Sequence, residues 1–311
     1  MTVTVGVLGG GGFGRGLAKA AARAKNPVTL WSRTPRDVGP GIETTHDLAK
    51  ATRVDLIFVA VPSAHALETA HDLRPYVDGS HRIVHVSRGL VGEDLMTITR
   101  LFREETAVRR VGALAGPLVA DALEAGTPSG AIVGTLFPEI ARLVRHAIGG
   151  PTLRIYETDD VVGVESASAL VGMLALAAGF AQGFGAGPSA LAVMCTRGLA
   201  EAQRIGHVLG ARERTFNGLA GIGDLLAATS GDERPEVKLG RALARGATIE
   251  QAGREAGANI EGVSIARRVA DYAARRNVET PIASTIADVI DGRLAATKAV
   301  EALMTREARG E

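Results

Sequence analysis

Hydrophobic and polar positions divide the chain near residue 157. Before that point, short β-rich apolar runs at 3–8, 28–31, 56–61, 82–86, 111–115 and 131–134 alternate with stretches of helical periodicity. Gly149, Gly150 and Pro151 break the preceding helix, and a last strand is expected at 152–156. After Asp160 the β-type runs stop, Ala and Leu become frequent, and amphipathic stretches at 264–275 and 281–290 predict helices. The expected fold class is therefore α/β: an N-terminal Rossmann domain with a doubly wound parallel sheet (1–157), followed by an all-α C-terminal domain (158–311).

Composition narrows the partners. The 311 residues suffice for two domains with cores of their own, and 35 Lys plus Arg against 34 Asp plus Glu leave no charge excess for nucleic acid or an anionic membrane. A small-molecule substrate is expected instead. Cys195 is the single cysteine, so no intramolecular disulfide is available; with no signal-like N-terminus, a cytoplasmic location follows. Its apolar surroundings read as those of a buried structural thiol. The most apolar segment, 169–181, falls short of the roughly 18 to 20 residues that span a bilayer and predicts a helix buried in a globular domain. No Cys/His/Asp spacing points to a metal.

The densest chemical signal is GGGGFG at 9–14, which closes one predicted strand and opens a helix. In a dinucleotide fingerprint, Gly9 permits the tight turn, Gly11 with Gly12 lets backbone approach a pyrophosphate, and Gly14 lets helix and sheet pack closely, with the helix N-terminus facing the phosphates. The acid that would receive a ribose 2′-hydroxyl at the end of the second strand is replaced by Ser32 and Arg33. A hydroxyl and a cation suit a 2′-phosphate, with Arg36 as a second partner, so NADP(H) is preferred over NAD(H), although both remain open. The alternative leaves both arginines as solvated loop residues.

Nine segments in order resemble the NAD(P)-dependent glycerol-3-phosphate dehydrogenases over nearly the full length. They are GGGGFG, VPS (61–63), SRG (87–89), GPLVA (116–120), YETDDVVGVE (156–165), TRGLAE (196–201), TFNGLAGIGDL (215–225), IEGV (260–263) and TPI (280–282). The resemblance implies a Rossmann domain with a helical domain for substrate and dimerisation, a homodimer, and reduction of dihydroxyacetone phosphate by NAD(P)H. It also implies coenzyme contacts at Gly9, Gly11, Phe13, Gly14, Pro62, Ala120 and Glu261.

On the substrate side the same resemblance breaks. The family's catalytic Lys-Asn pair falls on Val171 and Gly172, a second lysine on Arg88, the small hydroxyl residue after Gly-Pro on Leu118, and the phosphate-binding Ser-Arg-Asn on Arg234, Pro235 and Glu236. What remains in the inferred cleft is Asp224, Thr196, Arg197 and Arg88. Asp224 reads equally as a substrate or side-chain contact and as a helix cap after Gly223. Asp224 and Arg88 are the catalytic candidates, while His65 and His85, near the C-terminal strand edge, receive no role. The expected function is an NAD(P)H-dependent oxidoreductase with an altered substrate site, acting on a carbonyl-type group. The alternatives are an ordinary glycerol-3-phosphate dehydrogenase and a non-catalytic NADP(H)-binding regulatory protein.

Overall fold

The computed structural model describes residues 2–34, 37–231, 234–257 and 261–305. Its elements run β1 (Val5–Leu8), α1 (Gly12–Arg23), β2 (Val28–Trp31), β3 (Ile42–Thr45), α2 (Leu48–Thr52), β4 (Leu56–Val59), α3 (Ala66–Leu73), β5 (Arg82–His85), α4 (Ile98–Glu105), β6 (Arg110–Ala115), α5 (Ala120–Ala125), β7 (Ser129–Thr135), α6 (Pro138–Ile148) and β8 (Leu153–Thr158). Helices follow: α7 (Val161–Gly183), α8 (Pro188–Leu209), α9 (Glu213–Phe216), α10 (Asp224–Thr229), α11 (Pro235–Ala244), α12 (Ile249–Ala256), α13 (Glu261–Arg276), α14 (Pro281–Ile290) and α15 (Ala299–Met304).

The eight strands form one sheet in the order β3-β2-β1-β4-β5-β6-β7-β8. Every residue of β1 and β4 is buried, as central strands covered on both faces require. The edge strand β3, Ile-Glu-Thr-Thr, is largely uncovered and was not expected, because it carries no apolar run.

The sheet also departs from the wholly parallel expectation at one junction, where β7 pairs antiparallel to β6. A parallel crossover needs a dozen or more residues, usually a full helix, to carry the chain back along the sheet. Here α5 has only 6 residues and ends at Gly126 in the left-handed conformation (φ 72°), so the chain re-enters from the edge it has just left.

Beyond β8 the fold is helical, and α7 is its axis. At 23 residues, with a mean hydropathy of 1.8 over its most apolar stretch, α7 is long and apolar enough to cross a membrane, longer than expected from 169–181, but 89% of that stretch is buried inside the fold. It shares one core with the sheet, since Ala113 and Ala115 of β6 cluster with Val164, Leu170, Val171 and Leu174. Asp160 accepts from Gly163 N at the start of α7 and, through its other oxygen, from Arg212 N and Thr215 Oγ1, joining YETDD to the TFNG segment.

Two glycines let α11 lie almost backbone to backbone on α7. A Cβ on Gly179 would stand 2.1 Å from Val237 O, and one on Gly240 would stand 2.2 Å from Leu176 O. That close crossing carries the N-terminus of α11 to Gly172. Buried Glu201 of α8 accepts from Ile282 N and Ala283 N, which holds the start of α14.

Candidate functional site

The glycine turn lies where β1 hands over to α1. Gly9 takes φ +124°, and a Cβ there would meet Ala60 O at 2.3 Å; on Gly14 it would meet Gly9 O at 1.9 Å. Gly11 differs: nothing lies within 4 Å of a Cβ built on it. It is the N-cap of α1, makes no side-chain cap, and precedes a first turn without an acidic residue. The helix therefore presents unsatisfied N–H groups and a positive dipole end over open space, which fits a pyrophosphate.

The other coenzyme candidates border this turn. A Cβ on Gly12 would lie 3.5 Å from Ala120 Cβ, and Phe13 packs half-buried against the Rossmann core. Pro62 is exposed after β4, and the next residue, Ser63, donates its backbone N–H to Glu261. Gly89 must be glycine because a Cβ there would fall 2.3 Å from Ser63 Oγ. VPS, SRG and the Glu261 turn thus meet at one place. Burial pushes the Glu261 carboxyl above the ordinary glutamate range; the Ser63 hydrogen bonds act against that rise and neighbouring Glu236 adds to it.

At the end of β2, Ser32 is buried, its N–H bonded to Thr45 O and its carbonyl facing His46 Nδ1 at 2.6 Å. Arg33 is exposed and forms no ion pair among the described residues. Arg36 lies outside them.

The substrate-side charges converge more tightly than their spacing in sequence implies. Asp224, wholly buried as the first residue of α10, receives Arg88 Nη1 on Oδ2 at 2.5 Å. It also receives both terminal nitrogens of Arg234, at 3.1 and 3.2 Å. The cap alternative for Asp224 fails: Gly223 is the N-cap of α10 and the carboxylate is spent on the two guanidiniums. Arg88 Nη2 reaches Leu118 O at 3.4 Å. Burial works to lower the Arg88 pKa, but Asp224, with Glu236 and Glu261 beyond it, holds it above the ordinary arginine value. Glu236 Oε2 stands 3.7 Å from Arg234 Nε, while its Oε1 stands 3.8 Å from where a Cβ on Gly172 would be.

Arg88 and Asp224 are thus brought together, and Arg234 and Glu236, read in the sequence only as a damaged anion-binding triplet, complete the cluster. No local signal marks Arg234, since its partner lies on another helix. Two other residues of the inferred cleft are not part of this cluster. Thr196 and Arg197 are exposed on α8, where Thr196 Oγ1 bonds back to Ala192 O. Val171 is fully buried in the helical core, and Leu118 belongs to the Rossmann core. Cys195 is half-buried, and burial raises its pKa, so it is a poor thiolate.

His65 pairs with Glu68 on the surface. His85 is buried against Glu165 Oε1 at 2.9 Å, which also accepts from Thr99 N, so it braces β5 to α7. That pairing was not foreseen, although Glu165 inside an apolar helix is the signal that a buried partner must exist.

Comparison with known proteins finds similarity along nearly the whole chain. Residues 37–140 match the N-terminal and residues 160–301 the C-terminal model of NAD-dependent glycerol-3-phosphate dehydrogenase. The chain is 34% identical to glycerol-3-phosphate dehydrogenase [NAD(P)+] of Bradyrhizobium diazoefficiens over 99% of its own length and 98% of that relative. It is 37% identical to the enzyme of that name from Dechloromonas aromatica, over 98% of each chain. The crystal structure of glycerol-3-phosphate dehydrogenase from Coxiella burnetii superposes with a TM-score of 0.91 at 26% identity, covering 98% of this chain and 99% of that one. With both halves matched and the glycine turn, the Ser63–Glu261 junction and the Asp224 centre on one scaffold, the chain belongs to the family of NAD(P)-dependent glycerol-3-phosphate dehydrogenases, oxidoreductases acting on CH–OH groups.

Proposed function

We propose that this chain is an NAD(P)H-dependent reductase of a carbonyl-type group whose substrate site no longer accepts a phosphate in the family's way. The observation that carries the reading is the closed ion network: Asp224 already holds Arg88 and Arg234, and Glu236 stands beside Arg234. An incoming phosphate dianion would have to displace the chain's own carboxylates. Val171, at the family's lysine position, is fully buried and has no ionisable proton to give.

In this reading Gly9, Gly11, Gly12, Phe13, Gly14, Pro62, Ala120 and Glu261 border the dinucleotide, Ser32 and Arg33 favour NADPH, and the all-α part from residue 158 supplies the substrate wall of a homodimer. The reduced nicotinamide supplies the hydride. Arg88, partly open to solvent with 19% of its side chain exposed, donates N–H bonds to the carbonyl oxygen and stabilises the charge that develops there. Asp224 keeps that guanidinium charged and aimed. Because Arg88 holds its proton firmly, it stabilises the alkoxide without protonating it, and water supplies the proton.

A second reading, ordinary reduction of dihydroxyacetone phosphate, is favoured by the 34% identity to the Bradyrhizobium protein over almost the whole chain. Steady-state NADPH oxidation across a panel of carbonyl and imine compounds, with dihydroxyacetone phosphate included, separates the two. Loss of one acid-base group predicts turnover of dihydroxyacetone phosphate at least about a hundredfold below a competent family member. A kcat in the ordinary range of about 1 to 10³ per second for that compound overturns the first reading.

A further inference from the structure

At the N-terminal edge of the sheet, opposite the glycine turn, a cavity of about 490 Å³ opens between the starts of β4, β5 and β6. That volume falls in the range of about 300 to 1,000 Å³ typical of small-ligand pockets. Arg53, His81, Arg82 and Arg110 line it, with Asp55 as its acid. Asp55 is committed elsewhere: Thr4 donates to its Oδ2 through both N and Oγ1 at 2.8 Å, and these bonds hold its carboxyl below the usual range.

Two observations mark the site as unfinished. Arg82 and Arg110 are register partners on neighbouring parallel strands. Strands so paired lie about 4.8 Å apart, and like charges directly opposite repel. Glu139 compensates Arg110 at 3.1 Å, and Arg110 also donates to Gly79 O at 2.8 Å. Arg82 is left with the longer-range attraction of Asp55 and Glu139 and no direct pair. Among the described residues its Nε is buried without a hydrogen-bond partner, and neither Arg82 nor Arg53 forms an ion pair. Buried guanidinium nitrogens are ordinarily satisfied, and one turned away from water beside a second arginine calls for an acceptor.

We propose that this cavity is a second ligand site, distinct from the glycine turn, that binds the phosphate group of a small molecule between Arg82, Arg110 and Arg53. Planar guanidiniums pair with phosphate oxygens two at a time, so one group bridges the terminal nitrogens of the two strand-borne arginines. Exposed Arg53, following α2, closes the rim. A free phosphate ion and an organic phosphate ester present the same oxygens.

The test uses the full chain saturated with NADPH, so that the glycine turn is unavailable, at an ionic strength held constant with sodium chloride. Inorganic phosphate, pyrophosphate and a phosphate monoester, phenyl phosphate, are titrated separately by calorimetry and by thermal unfolding. At least one of them is expected to bind with one site per chain and raise the melting temperature; the arm that binds best identifies a free or an esterified phosphate. Arg82→Gln and Arg53→Gln should each weaken that binding by about tenfold or more, as loss of a charge-assisted bond predicts, with NADPH affinity unchanged. Arg53 is exposed and makes no side-chain bond among the described residues, so its variant keeps the test valid if Arg82→Gln fails to fold. The absence of saturable binding in all three arms, or affinity unchanged by Arg53→Gln, overturns the proposal.

Discussion

Replacing Asp224 by asparagine is the sharpest perturbation of the substrate-side cluster. The substitution keeps the shape of the side chain but removes the charge that Arg88 and Arg234 share, and its amide presents donors to two donors. Asp224 is fully buried and the Arg234 side chain is only 8% exposed, so solvent cannot replace the lost carboxylate at Arg234. Arg88, 19% exposed, retains some access to water. Removing one partner of a buried ion pair costs about 3–5 kcal/mol, and this range is expected for Asp224→Asn in urea unfolding. Inorganic phosphate should then restore stability to the variant, because the unpaired arginines become a site for it. The gain follows RT ln(1 + [L]/Kd), about 2.7 kcal/mol at a hundred times Kd, and exceeds any effect of phosphate on the parent protein. A loss below about 1 kcal/mol would show that the arginines are solvated like surface residues and that this network does not exclude an anionic substrate.

Arg33→Ala should weaken NADPH binding and leave NADH binding unchanged, as read by titrating the fluorescence of each reduced coenzyme; equal losses would remove Arg33 from the 2′-phosphate site. The raised Glu261 pKa has a definite sign. The folded state holds that proton to higher pH than the unfolded one, so stability falls as pH rises from the free glutamate value of about 4.3 toward the folded value, and Glu261→Gln should flatten that part of the urea-unfolding profile; identical slopes in both proteins refute it. Gly14→Ala would place a Cβ 1.9 Å from Gly9 O, so coenzyme binding should be lost even in protein that remains folded by circular dichroism, and full retention of NADPH affinity would contradict the turn geometry.

The sequence by itself determined the elements whose stability is local or dictated by burial. Strand 56–59 is legible because a central strand of a parallel sheet is apolar throughout, 28–31 and 82–85 because each keeps a β-branched and aliphatic centre, and α14 because Pro281 opens a periodic run. The glycine turn was legible for a steric reason that needs no partner: Gly9 and Gly14 sit where a Cβ has no room.

Tertiary structure decided the rest. The polar edge strand β3 exists because β2 offers it a ladder, and β7 reverses because α5 is too short to cross the sheet. The clustering of Arg88, Asp224, Arg234 and Glu236 follows from the glycine-to-backbone crossing of α7 and α11, which no single segment encodes. Charged residues carry no periodic signal of their own. Whether an arginine is solvated at a helix end or buried on a carboxylate depends on what another part of the chain brings against it, and that is a property of the packed molecule.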